Sequence, residues 1–181
     1  MELVIDGYNV IGSRGGLRGD VAAKRDAYVS ELVRYARLKG HGITVVFDGF
    51  PPGLTASPGR RSTAVQHSSG VRVVYSEHER ADDVVVRLAQ RLREGGTIVS
   101  SDREVRDACR SHGCIVLGAR VFDERLADVL TEAGGPPRDV GAEPDKDRDN
   151  RDETGSRSSK RGNPRRLSKA ERKTRRRLER L

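Results

Sequence analysis

Apolar positions follow two alternating patterns over the first 134 residues. Short, nearly continuous apolar runs read as strands covered on both faces: Leu3 to Ile5, Ile43 to Asp48, Val71 to Tyr75, Thr97 to Ser100 and Cys114 to Leu117. The first of these strands is predicted to span Met1 to Val10. Between the strands the period changes to that of a helix. Val21 to Lys39 places Val29, Leu32, Val33 and Ala36 on one face, and Ala81 to Glu94 does so with Val84, Val85, Leu88, Ala89 and Leu92. Arg103 to His112 reads as a shorter helix. Arg120 to Ala133 reads as a last one, through Val121, Phe122, Leu126, Val129 and Leu130. Gly40 and Gly42, then Gly95 and Gly96, act as stop signals. Residues 49–70, dense in Gly, Pro and Ser, read as loop. Short apolar strands alternating with helices predict an α/β fold, a three-layer α/β/α sandwich around a central, mostly parallel sheet.

The pattern ends at Gly134. Residues 1–134 hold 56 of the 62 hydrophobic residues, so the remaining 47 positions cannot bury a core. Charge divides at the same place. The first part is nearly neutral, with 19 Lys and Arg against 18 Asp and Glu; the rest carries 16 against 9. The expected organisation is a domain over 1–134, an acidic flexible linker over 135–153, and a basic tail over 154–181 that is disordered or partly helical. Such a tail fits contact with nucleic acid through phosphate neutralisation.

Several classes drop out. No apolar run approaches the roughly 20 residues of a membrane span, and the opening MELVIDGYNVIG lacks the basic start of a signal peptide, so a cytoplasmic location is expected. Cys109 and Cys114 give no disulfide framework and read as small buried hydrophobes. His41, His67, His78 and His112 lack metal-like spacing, and the glycines at 12, 15, 16 and 19 match no phosphate-binding loop.

The acids carry the chemical signal. Ligands of an open parallel sheet bind outside the carboxyl ends of its strands. Asp6 ends the first strand, followed by Gly7, Tyr8 and Asn9; Asp48 ends the second. Asp82 and Asp83 open the helix after the third, and Ser100, Ser101 and Asp102 follow the fourth. Singly, each acid has a structural explanation as a helix cap or a turn residue. Together they would repel one another unless a cation neutralised them, and an all-oxygen cluster suits Mg²⁺ or Mn²⁺, which can activate water for phosphodiester displacement.

The segments VIDGYNVIG, VVFDG, ERADDVVVRLAQ and IVSSDREV, in that order, resemble the YacP-like branch of the NYN family of PIN-like ribonuclease domains. The resemblance covers about residues 1–132. It implies a metal-dependent endoribonuclease, in a branch linked to cleavage of mRNA at ribosomes. Asp6, Asp82 and Asp102 match its metal-holding acidic positions, and Asp48 and Asp83 its accessory acids. Asn9 matches the opening asparagine, expected to orient an acid or the substrate backbone. An acidic centre needs a basic rim to hold RNA: Arg14, Arg18, Arg60, Arg61 and Arg103 are the candidates, with Ser101 as a holder of an acid or a phosphate. Arg outnumbers Lys 29 to 6, so each of these is equally readable as solvated surface. Two other readings stand beside the nuclease: an RNA-binding or ribosome-associated module with little chemistry, and a different metal-dependent phosphohydrolase.

Overall fold

The computed structural model describes residues 1–50, 63–66, 70–134 and 169–180, with backbone alone at 63–66, 169–171, 174 and 178. In chain order the elements are β1 (Glu2–Asp6), α1 (Gly7–Ser13), α2 (Val21–Lys39), β2 (Gly42–Phe47), β3 (Thr63–Gln66), β4 (Val71–Tyr75), α3 (Ala81–Leu92), β5 (Gly96–Val99), α4 (Arg103–Ser111), β6 (Ile115–Leu117), α5 (Ala119–Glu132) and α6 (Lys169–Leu178). A single 3₁₀ turn, Arg93–Gly95, joins α3 to β5. Arg60, Arg61, the whole expected linker and positions 154–168 of the expected tail lie outside the described residues.

One six-stranded sheet forms in the order β3-β4-β2-β1-β5-β6. All pairings are parallel except β3 with β4. Leu3, Ile5, Ile43, Val45 and Phe47 meet Tyr28, Leu32 and Tyr35 of α2 and Phe122 and Leu126 of α5 on one face. Val4, Val46, Val74 and Ile98 meet Val84, Val85 and Ala89 of α3 and Val105 and Cys109 of α4 on the other. This is the expected three-layer α/β/α sandwich.

Two expectations are corrected. The segment Met1 to Val10 is not one strand: it turns into α1 at Gly7, because the Asp6 carboxylate accepts the Asn9 N–H at 3.3 Å and caps a helix there. Residues 49–70 are not all loop, since Thr63–Gln66 adds an antiparallel edge strand. A smaller difference is Val121, which is 43% exposed rather than part of the buried stripe of α5. The cysteines behave as expected: both are buried and unbridged, and burial pushes the Cys109 thiol up to about 12, out of the nucleophile range. Among the described residues no helix is long and apolar enough to cross a membrane.

Gly7 is required by close approach. A methyl group there would lie 2.6 Å from Cδ1 and 2.8 Å from Cζ of the fully buried Phe47 ring. Gly7→Ala is therefore expected to cost about 1–3 kcal/mol, the usual cost of overpacking. Thermal and urea unfolding would show the loss, with far-UV circular dichroism unchanged. An unchanged midpoint would mean that the Phe47 ring gives way freely.

Candidate active site

The sheet delivers polar side chains to its carboxyl edge by simple alternation. Val4, Val46, Val74 and Ile98 all face α3 and α4. Two residues further along each chain, with the same parity, come Asp6, Asp48, Ser76 and Ser100. Register then pairs them. Val4 lies beside Ile98, which brings Asp6 level with Ser100, and Val46 lies beside Val74, which brings Asp48 level with Ser76. The Ser100 hydroxyl donates to Asp6 Oδ2 at 3.1 Å, and the Ser76 hydroxyl donates to Asp48 Oδ1 at 3.2 Å. Strand order runs outward one way from β1 through β2 and β4 and the other way from β5 to β6, which makes the Asp6–Ser100 pair the switch point where such sheets take their ligands.

Each acid is anchored in its own way. Asp6 is 8% exposed, and its carboxyl is pushed up to about 6. Burial is the main cause; the Asn9 N–H and the Ser100 hydroxyl pull it back, while Asp82 and Asp48 raise it further. Asp48 Oδ1 also accepts the Ala81 N–H at 2.9 Å, so an acid just past β2 caps α3, whose N-cap residue Arg80 supplies no side-chain capping bond. Asp82 and Asp83 are therefore not the caps of that helix; they occupy its first turn, where the dipole favours acid. The Asp82 carboxyl is raised by burial and by Asp102, Asp48 and Asp83, against the lowering effect of Arg80, whose guanidinium rests on it. Asp102 caps α4 through the Val105 N–H at 3.0 Å. Asp83 is exposed and, with Asp82, Arg80, Arg87 and Glu104, lines a cleft of about 470 Å³ between α3 and α4.

Asn9 ties the edge together. Its side-chain oxygen accepts the Ser101 N–H at 2.8 Å, while its backbone N–H caps onto Asp6. The link joins the end of β1 to the loop that carries Asp102. Ser101 has a structural partner: its hydroxyl accepts the Ala119 N–H at 3.0 Å at the start of α5. The hydroxyl on Asp6 is that of Ser100. It also accepts the Asp102 N–H at 3.1 Å, so one buried oxygen bridges Asp6 and the Asp102 loop. Ser76 and Arg80 are thus additions to the residues found by sequence, and Ser100, named there without a role, gains one; strand parity was the available signal for the two serines.

The candidate basic rim divides. Arg14 is turned inward, bonded to Asp123 at 2.8 Å and to Glu31 at 2.9 Å, with its guanidinium 4.5 Å from the centre of the Tyr28 ring. Arg18 is exposed. Arg103, at the first position of α4 beside Asp102, is 84% exposed.

The donor set is all oxygen, and the carboxyls of Asp6 and Asp82 are raised by burial and then by the acids around them, the condition that a divalent cation relieves. Among the described residues no three His, Cys, Asp or Glu side chains converge closely enough to form a metal cage.

Comparison with known proteins bears on the fold and the family. Two crystal structures of Rae1 (YacP) from Bacillus subtilis, one of them a single-site mutant, share the fold at TM-scores of 0.58 and 0.57. Each is 23% identical over 74% of this chain, and the match covers 78% and 79% of the respective Bacillus chains. Curated protein sequences offer no match. The family model of the YacP-like NYN domain matches residues 3–178, a range that runs past the four motifs and takes in α6. The chain therefore belongs to the YacP-like NYN domain family.

Proposed function

We propose that the protein is a divalent-metal-dependent endoribonuclease whose centre is the carboxylate edge. The family supports a nuclease-like domain directed at RNA. The observation that carries the proposal is the gathering of Asp6, Asp48, Asp82 and Asp102 along the carboxyl edge at the switch point, where burial and neighbouring acids push the carboxyls of Asp6 and Asp82 up. Asp6, Asp82 and Asp102 are the residues to hold Mg²⁺ or Mn²⁺, directly or through water, with Asp48 and Asp83 completing the charge. The bound ion would activate water and stabilise charge on the scissile phosphate. The chain's own residues do the positioning. Ser100 and Asn9 fix Asp6 and the Asp102 loop, while Arg103 and Arg18 lie exposed to take RNA phosphates. Arg80 is suited to leave Asp82 for a phosphate once the carboxylates are neutralised. Cleavage of mRNA at the ribosome, the setting implied by the YacP-like resemblance, is part of the proposal.

The absence of a ready-made cage among the described residues favours a second reading, an RNA-binding module with little chemistry. Incubation with end-labelled RNA separates the two. Cleavage is expected in Mg²⁺ or Mn²⁺, lost in EDTA and restored by excess ion, with DNA of the same sequence left intact. RNA that is bound but uncut in either ion supports the module; equal cutting of DNA points to a broader phosphohydrolase.

A further inference from the structure

The structure assigns the basic helix α6 a function of its own: a second RNA-backbone site at the opposite end of the sheet from the carboxylates. Arg177 donates from one guanidinium nitrogen to the carbonyls of Glu94, at 3.1 Å, and Gly95, at 3.2 Å. Lys173 Nζ lies 3.0 Å from Glu94 Oε2, and His41 Nε2 donates to the Arg180 carbonyl at 3.0 Å. These partners sit where α3 hands over to β5 and α2 to β2, which is the amino edge of the sheet. The candidate catalytic acids sit at the carboxyl edge. With five residues in β1, the two edges are about 17 Å apart.

With Lys173, Arg177 and the Arg180 backbone turned to the domain, Arg172 and Arg176 remain exposed on the neighbouring helix face, and the Arg180 side chain follows them. Residues four apart on a helix lie side by side, so Arg172 and Arg176 stand about 6 Å apart on α6, and Arg180 follows in the turn just past its end. None of the three pairs with a carboxylate among the described residues, whereas Arg175 is held by Glu179 at 3.3 Å. Arg172, Lys173, Arg176, Arg177 and Arg180 line one cleft of about 630 Å³. From Lys169 to Arg180 the sequence has seven bases and two acids, where a merely solvated helix would mix the two signs. Five of those seven bases are Arg, whose planar fork matches phosphate better than an ammonium does.

A row of cations without aromatic partners reads phosphate and not base, so the ligand is an RNA backbone of any sequence. The proposal rests on the reading of the opposite edge as an RNA-cleaving centre, and it adds a property that this centre alone lacks. Substrates long enough to reach both edges gain the most affinity from α6; short ones gain less.

The test uses the full chain and a variant with Arg172→Gln, Arg176→Gln and Arg180→Gln. Binding of labelled single-stranded RNA is measured in EDTA against salt, with one RNA of about 4 nucleotides and one several times the ~4–16-nucleotide footprint of a single-strand site. For the long RNA the variant is expected to bind more weakly, with a log–log salt slope shallower by about 2, the contribution of three cations at ~0.7 each. For the short RNA, with fewer phosphates to neutralise, the loss should be smaller. In Mg²⁺ or Mn²⁺, KM for the long RNA should rise while kcat holds. A second variant with Lys at the three positions should keep the slope, which separates charge from folding. Unchanged affinity and slope for the long RNA would overturn the assignment, as would equal losses on both RNAs. Charge-dependent binding to anionic phospholipid vesicles, with no effect on RNA, would give α6 to a membrane instead. A wild-type protein that cuts neither RNA ends the nuclease reading, yet the salt slope in EDTA still decides the second site.

Discussion

Asp6→Asn is expected to abolish RNA cleavage and, in the ion-free protein, to raise stability at neutral pH. The two effects share one cause. Asp6 is buried, and its carboxyl is pushed up to about 6, first by loss of water and then by Asp82 and Asp48. A group that holds its proton more tightly when folded contributes stability that is full below its unfolded pKa, near 3.8, and lost as pH rises through about 6. Above that window the buried carboxylate costs the fold roughly 3 kcal/mol, two units at about 1.4 kcal/mol each. Asparagine has nearly the same shape, keeps an acceptor for the Asn9 N–H, and carries no charge. Urea unfolding in EDTA should therefore show the variant about equal to the wild type near pH 4 and more stable by up to ~3 kcal/mol at pH 7. Mg²⁺ should stabilise the wild type and leave the variant unmoved. Cleavage should fall by about 10²–10³ or more, the scale seen when one group that stabilises transition-state charge is lost. A stability difference that is flat with pH would remove the buried-carboxylate argument. Full activity in the folded variant would remove Asp6 from the centre.

The layers of this fold are legible in the sequence because strands buried on both faces are apolar at nearly every position. Ile43 to Phe47, broken only by Thr44, and Val71 to Tyr75, broken only by the exposed Arg72, announce themselves in that way. The first helix is not so announced. Val10 and Ile11 continue the apolar character of β1, and only the Asp6 cap and the contact of Gly7 with Phe47 break the strand. β3 hides for the opposite reason: four residues of edge strand, paired on one side, sit in a stretch whose Gly, Pro and Ser content marks loop. At the site, the acids can be read from their places at strand ends. Their partners are harder. Ser100 and Ser101 are adjacent and chemically identical, yet alternation sends Ser100 toward Asp6, while Ser101 goes to the start of α5. Counting two residues on from Ile98, as from Val4 to Asp6, gives the distinction. The inward turn of Arg14 had no such signal, because its partners Asp123 and Glu31 are distant in sequence.

Ser100→Ala is expected to weaken Mg²⁺ binding and cleavage together, and to weaken both more at pH 6 than at pH 8. The Ser100 hydroxyl is fully buried; it donates to Asp6 Oδ2 and accepts the Asp102 N–H, each at 3.1 Å. Its bond to Asp6 lowers the proton affinity of a carboxyl that burial has already raised. Without it, Asp6 holds its proton to a higher pH, and a proton on Asp6 competes with a cation for the same oxygens. The freed Asp102 N–H loses its acceptor as well, so the loop before α4 keeps its bonds to Asn9, Leu117 and Ala119 and the cap on Val105, while Asp102 loses its tie to Asp6. Loss of a residue that orients metal-binding groups commonly costs about 10–100-fold in metal affinity or activity, and that range is expected here. Calorimetric titration of Mg²⁺ at the two pH values reads the effect without turnover, and cleavage rates at the same pH values should follow it. Ser101→Ala is the matched control. It removes the acceptor for the Ala119 N–H, so it should lower thermal stability while leaving the pH dependence of Mg²⁺ binding where it was. A loss in Ser100→Ala that is the same at pH 6 and pH 8 would reduce Ser100 to a structural contact. A pH-dependent loss in Ser101→Ala alone would return the acid-holding role to Ser101.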